Sequence, residues 1–110
     1  MLDVAEKLMK CGALELDPET RVLSGPRGQV RLASQPFSIV ERLMRRQGVI
    51  VSFSDLISSV WPDADNEPEY AHGMIRDAIS DLRGFMCLVG ADPVRIMSER
   101  NVGYFIGKRR

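Results

Sequence analysis

Ile75-Arg76-Asp77-Ala78-Ile79-Ser80-Asp81-Leu82-Arg83, then Ile96-Met97-Ser98-Glu99-Arg100-Asn101-Val102-Gly103-Tyr104, is the stretch that decides the fold. At about 100° per residue, Ile75, Ile79, Leu82 and the later Met86 fall on one narrow arc. Such an arc predicts a helix with a single packed face, from about Glu69 to Leu88. Tyr70, Gly73, Asp77, Ser80, Asp81 and Gly84 fall on the opposite arc. Arg76 and Arg83 lie to one side of it, Met74 and Phe85 to the other. The second run predicts a hairpin, with strands Val94–Ser98 and Gly103–Ile106. Asn101 stands at the turn, and Asn tolerates the left-handed conformation a tight turn needs.

Working back towards the start, Ser52-Phe53-Ser54-Asp55 has the form of a capping box and opens a helix that runs to about Trp61. Pro62 closes it, and Val49–Val51 ahead of it predicts a short strand. Ser34-Gln35-Pro36 starts an earlier helix. Ser34 is its expected cap, and Pro36 is tolerated in the first turn, where its missing N–H is not needed. Phe37, Val40, Leu43 and Met44 are its apolar stripe, and Gly48 suits a left-handed stop. Ala13–Leu16, Arg21–Ser24 and Gln29–Leu32 predict three short strands. Asp17-Pro18-Glu19-Thr20 and Gly25-Pro26-Arg27-Gly28 supply turn chemistry between them. Residues 1–10, with Leu2, Ala5, Leu8 and Met9 on one side, predict a short helix ended by Gly12, docked on the domain or lying in a dimer contact. The domain is therefore expected over 13–110, with 1–12 as an extension. The fold class is α+β: a small antiparallel sheet, three helices and a terminal hairpin.

Composition narrows the function. The chain has 110 residues, enough for one core, and no apolar run long enough to cross a bilayer. Its start lacks the basic-then-apolar layout of a signal peptide, so a cytoplasmic location is expected. Cys11 and Cys87 lack CxxC spacing, which points to two reduced thiols. His72 is the single histidine, and no metal cluster, phosphate loop or nucleophile with a partner is visible. An enzyme, a cofactor and a metal are not expected. Fifteen basic and fifteen acidic residues cancel. Nucleic-acid binding, which gains most of its affinity from phosphate neutralisation, must then rest on how charge is distributed.

Several motifs, in order, resemble the DNA-binding domain of OmpR/PhoB-type response regulators. Ile75–Arg83 resembles the family's "V-D-x-x-I-x-x-L-R", and the hairpin resembles its "T-V-R-G-x-G-Y". Leu32-Ala33-Ser34-Gln35-Pro36-Phe37 resembles "L-T-x-K-E-F". Gly48–Leu56 resembles "G-x-V-V-S-R-E-E-L", and Val60-Trp61 resembles "V-W". The resemblance spans roughly residues 13–106. It implies a winged helix-turn-helix, with the third helix in the major groove and the wing at the minor groove. The matching regulator would be the output half without a receiver, lacking a phosphorylation switch of its own, from a bacterial or phage source.

On that resemblance the expected DNA-binding residues are Tyr70, Gly73, Arg76, Asp77, Ser80, Asp81 and Arg83 on the helix, with Arg100 and Asn101 on the wing. Arg95 and the tail Lys108-Arg109-Arg110 lie close in sequence to the wing. The helix departs from the family: Asp81 stands where Arg is common, and Gly84-Phe85 where Lys-Lys is common. Over residues 69–88, two arginines face three carboxylates, a net charge of −1. Arg42, Arg45 and Arg46 read as a solvated helix end, favoured by the helix dipole. The loop Pro62–Pro68 carries Asp63, Asp65 and Glu67, a carboxylate set that suits a basic face of RNA polymerase or a sigma factor. The partner implied first is double-stranded DNA, and a homodimer is the assembly to test. Three functions stay open: a sequence-specific transcription regulator, a winged-helix module that binds a regulator or polymerase subunit without reading DNA, and a domain that mainly self-assembles.

Overall fold

The computed structural model describes residues 8–108. Strands β1 (Met9–Cys11), β2 (Leu14–Asp17), β3 (Val22–Gly25) and β4 (Gly28–Arg31) form an antiparallel sheet in sequence order. Alternation drives it: Leu14 and Leu16 are fully buried, while Glu15 and Asp17 are only half so. Leu23, paired with Leu16 across the sheet, completes the apolar face.

β1 corrects the sequence expectation. A helix was expected over residues 1–10, but Met9-Lys10-Cys11 is a strand paired with β2. Its burial alternates with period two, which a helix cannot satisfy. Gly12, expected as a helix stop, is instead the first residue of a two-residue hairpin turn, at φ 60°. Gly-X is the signature of that turn type. Leu2 and Ala5 lie outside the described residues.

The helices follow the expected order: α1 (Ser34–Arg45), α2 (Phe53–Val60) and α3 (Ala71–Val89). α1 buries Ile39, Val40, Leu43 and Met44, with Phe37 packed at the margin. Its cap is Ala33, which makes no side-chain bond, and not Ser34. The helix starts one residue early, so Ser34 lies inside it and its carbonyl accepts from the Ser38 hydroxyl. Gly48 takes φ 77° as expected and donates its N–H to the Ile106 carbonyl.

α2 is capped as the sequence predicts: the Ser52 hydroxyl oxygen accepts from the Asp55 N–H at 3.1 Å. The Asp55 carboxylate does not return the bond and sits 3.8 Å from Arg42 instead. A single 3-10 turn, Ala64–Asn66, leads to α3. α3 begins two residues later than expected, because its first turn closes on the Pro68 carbonyl, which accepts from the Ala71 N–H.

The hairpin is β6 (Val94–Glu99) and β7 (Gly103–Lys108), each slightly longer than expected. β5 (Val51–Ser52) pairs with β7, giving a second sheet in the order β5-β7-β6. Gly103 makes this possible: a side chain there would collide with the Val51 carbonyl. Ile75, Ile79, Leu82 and Met86 are all buried, and α3 packs against α1, α2, β3, β4 and β6. The core therefore lies between the two sheets and the three helices, and α3 shows its other face to solvent.

Candidate nucleic-acid interface

The exposed face of α3 holds every helix residue singled out from sequence. Gly73, Arg76, Asp77, Ser80, Asp81 and Arg83 are exposed, and Tyr70, at the cap, is 78% exposed. A side chain added at Gly73 or Gly84 would meet nothing. Between the charged positions the outer crest is thus low and open, suited to close approach by a large, flat partner.

The charges on this face are segregated. On the side facing the wing, the Arg76 guanidinium lies 5.9 Å from the Phe53 ring centre. The Phe53 ring meets Tyr104 edge-on at 5.4 Å. The Arg83 guanidinium lies 5.8 Å from the Tyr104 ring. Its Nε and Nη2 donate to the Ile96 carbonyl at 3.1 and 3.0 Å, and Nη2 also donates to the Ser98 hydroxyl at 3.0 Å. Two rings in contact, Phe53 and Tyr104, thus stand between two cations, and each cation lies over the face of one ring, where the negative quadrupole favours it. Arg83 is therefore a strut between helix and wing as well as a surface cation.

Asp77 and Asp81 lie on the other side. They line a shallow cleft of about 180 Å³ with Gln35 and Pro36 of the first turn of α1. The positive end of the α1 dipole is there, a favourable setting for carboxylates. Among the described residues neither aspartate has a hydrogen-bond or ion-pair partner. Within α3 the charges of Arg76 and Arg83 and of Asp77 and Asp81 cancel, but they separate into a basic flank and an acidic flank.

The wing tip is Arg100-Asn101-Val102, all exposed. Asn101 adopts φ 63°, as its turn position requires. The Val102 N–H donates to the Glu99 carbonyl, and the Val102 carbonyl accepts from the Phe53 N–H at 3.1 Å. The first residue of α2 thereby holds the tip. Arg95 is paired with Asp92 at 3.1 Å, so its charge is largely spent, and Arg109 and Arg110 lie outside the described residues.

At the basic end of α1, Arg45 and Arg46 are exposed, in line with a solvated helix end, and Arg45 pairs with Glu41 at 3.2 Å. Arg42 departs from that expectation: it reaches α2 at Asp55, 3.8 Å away, with its Nε buried. Asp63, Asp65 and Glu67 are exposed on the α2–α3 connection. Asp63 also accepts from the Asp65 N–H, which fixes the turn. Cys11 is buried and Cys87 exposed. Among the described residues no cluster of metal-ligating side chains occurs, and no helix is long and apolar enough to cross a membrane.

Sequence reasoning did not single out Phe53 or His72. The His72 ring lies 5.1 Å from Phe53, beside Arg76. The signal was present, since His72 and Arg76 are four apart on one helix and so share a face. Phe53 also stands where the family pattern has Arg, and Arg76 where it has Asp. Two positions that carry opposite charges in the family pattern here hold a ring and a cation in contact.

A helix, a connection over residues 61–70 with one 3-10 turn, and a second helix with its outer face open, beside a hairpin joined to both, define a winged helix-turn-helix domain. The chain belongs to the family described as transcriptional regulatory protein, C terminal, which matches residues 27–106. It is similar to the phosphate regulon transcriptional regulatory protein PhoB of Rhizobium meliloti, at 37% identity over 59 residues, 54% of this chain and 26% of that protein. The chain spans about a quarter of the length of the curated relatives it matches. Its structure is similar to the DNA-binding domain of Klebsiella pneumoniae RstA in complex with the RstA box, with a TM-score of 0.71 and 25% identity, over 92% of this chain and 97% of that one. The DNA-binding domain of Escherichia coli CadC shares the fold, with a TM-score of 0.75 and 20% identity over 94% of each chain. The family is one of transcription regulators, not of enzymes.

Proposed function

We propose that this domain binds double-stranded DNA sequence-specifically and regulates transcription, with α3 in the major groove and Arg100 at the minor groove or its phosphates. The observation that carries this reading is the wing-side row of Arg76 and Arg83, joined through Phe53 and Tyr104 to β6 and its turn. A groove-bound helix needs cations beside the phosphates and base-reading groups at its crest. Here the cations sit on the wing-side flank, Gly73 and Ser80 at the open crest, and Asp77 and Asp81 on the flank over α1. A carboxylate at that edge of the groove can accept from the cytosine N4 amino group. The complex of RstA with its box supports the reading by analogy of fold. DNA as ligand would place the domain in the cytoplasm.

The test is binding of labelled genomic fragments at two salt concentrations. Selective, salt-sensitive complexes are the expected result, and no complex at low salt would reject the proposal.

The unpartnered carboxylates of Asp77 and Asp81 favour one other reading, in which the same face docks on a basic protein surface. We also propose Asp63, Asp65 and Glu67 as a contact for RNA polymerase or a sigma factor, because all three are exposed on one ordered turn. Pull-down of polymerase by wild type, and its loss in the triple alanine variant, checks this. Self-association into a homodimer is measured by sedimentation with and without DNA.

A further inference from the structure

We propose that His72 contacts the DNA backbone and that its protonation tightens binding, so that the domain holds DNA more firmly at mildly acidic than at mildly alkaline pH. The inference rests on the DNA-binding reading above and adds to it a contact residue and a dependence on pH.

His72 is exposed in the first turn of α3, with its ring against Phe53. Arg76 lies over the same Phe53 ring, so imidazole and guanidinium share one aromatic base. With Arg83, farther along the wing-side flank, they make one line of nitrogen donors. Histidine is the side chain whose ordinary titration spans pH 5 to 8. This chain has one histidine and zero net charge, so protonating it gives the whole domain its first net positive charge.

The surrounding groups set the sign. Glu69, ahead of α3, and Arg76, on it, flank His72 in sequence. From α2, Phe53 supports the ring, and the nearby Asp55 is taken up by Arg42. From the wing, Tyr104 reaches Phe53 with an uncharged ring. Among the described residues no carboxylate pairs with His72. A phosphate beside the ring favours the imidazolium, so binding takes up a proton. By linkage, affinity rises as pH falls, and the gain is lost as pH rises.

The test uses anisotropy titrations of a labelled mixed-sequence duplex at about 0.1 M salt, near pH 6 and pH 8. One added phosphate contact contributes about 0.9 to the salt exponent, which is roughly eightfold in affinity at this salt. Wild type should show that gain at the lower pH, with a steeper salt slope. His72→Gln should be flat with pH and as weak as wild type at pH 8. His72→Arg should bind tightly at both. Circular dichroism at each pH confirms that the variants are folded. PH dependence that survives in His72→Gln, or a wild type that binds DNA equally at both pH values, overturns the inference and leaves the DNA-binding reading standing. A wild type that binds no duplex at either pH overturns both.

Discussion

Asp77 and Asp81 are the residues whose setting changes most between sequence and structure. On a wheel they look like charges thrust at a phosphate-lined groove. In the fold they sit over the first turn of α1, away from the arginine flank. Asp81→Asn removes one like-charge repulsion with phosphate and one acceptor for cytosine N4. Non-specific DNA affinity should rise by a few-fold and sequence choice should relax, measured by competition between a cognate and a random duplex. If the face instead docks on a basic protein, the same change should lower partner capture and leave DNA binding negligible. The two cysteines give a second test at this scale. Burial pushes the Cys11 thiol above its ordinary range, only partly opposed by the Lys108 charge, whereas Cys87 is exposed. The thiolate is the reactive form. At mildly alkaline pH an alkylating reagent should therefore modify Cys87 first. Cys11 should react only on unfolding, as peptide mass mapping would show. Equal labelling of both in the folded domain would contradict the burial described.

The proposed function turns on the join between α3 and the wing. Arg83 makes three hydrogen bonds across it. A hydrogen bond contributes about 0.5–1.5 kcal/mol net, and two of these three share the Ile96 carbonyl. Arg83→Ala should lower stability by about 1–2 kcal/mol and weaken DNA binding as well. Arg100→Ala should weaken binding across many sequences with stability unchanged, since Arg100 is exposed at the tip. Urea unfolding beside anisotropy separates the two, and identical profiles would deny Arg83 its structural part.

How much of this was legible varies by element. The three helices were: the first and third carry a stripe of period 3.6, and the second opens on a capping box and is closed by Pro62. The outer residues of α3 were legible for the same reason. β1 was not: three residues, Met9-Lys10-Cys11, follow an apolar pattern that also suits a helix, and only pairing with β2 decides between them. The strut role of Arg83 was hidden too. It depends on the register of β6, thirteen residues away, which no local pattern encodes. Nor could spacing bring Phe53 of α2 under Arg76 of α3, since packing alone determines that contact.

For the whole molecule, zero net charge sets the expectation for salt. With Arg76, Arg83 and Arg100 as the phosphate or groove cations, the slope of log K against log salt should be near −3 at neutral pH, at about 0.9 per phosphate. A slope as steep as that of a strongly basic domain would mean that cations outside this face take part. The bond from the Phe53 N–H to the Val102 carbonyl bears on how the molecule meets such a target. The residue that opens α2, supports Arg76 and touches Tyr104 also holds the wing tip. The span from helix to tip is therefore set before any duplex arrives, like the jaws of a locked caliper. Duplexes whose grooves already match that span would be bound at little deformation cost, and those that must be bent or compressed to fit would be penalised even at base pairs no side chain touches.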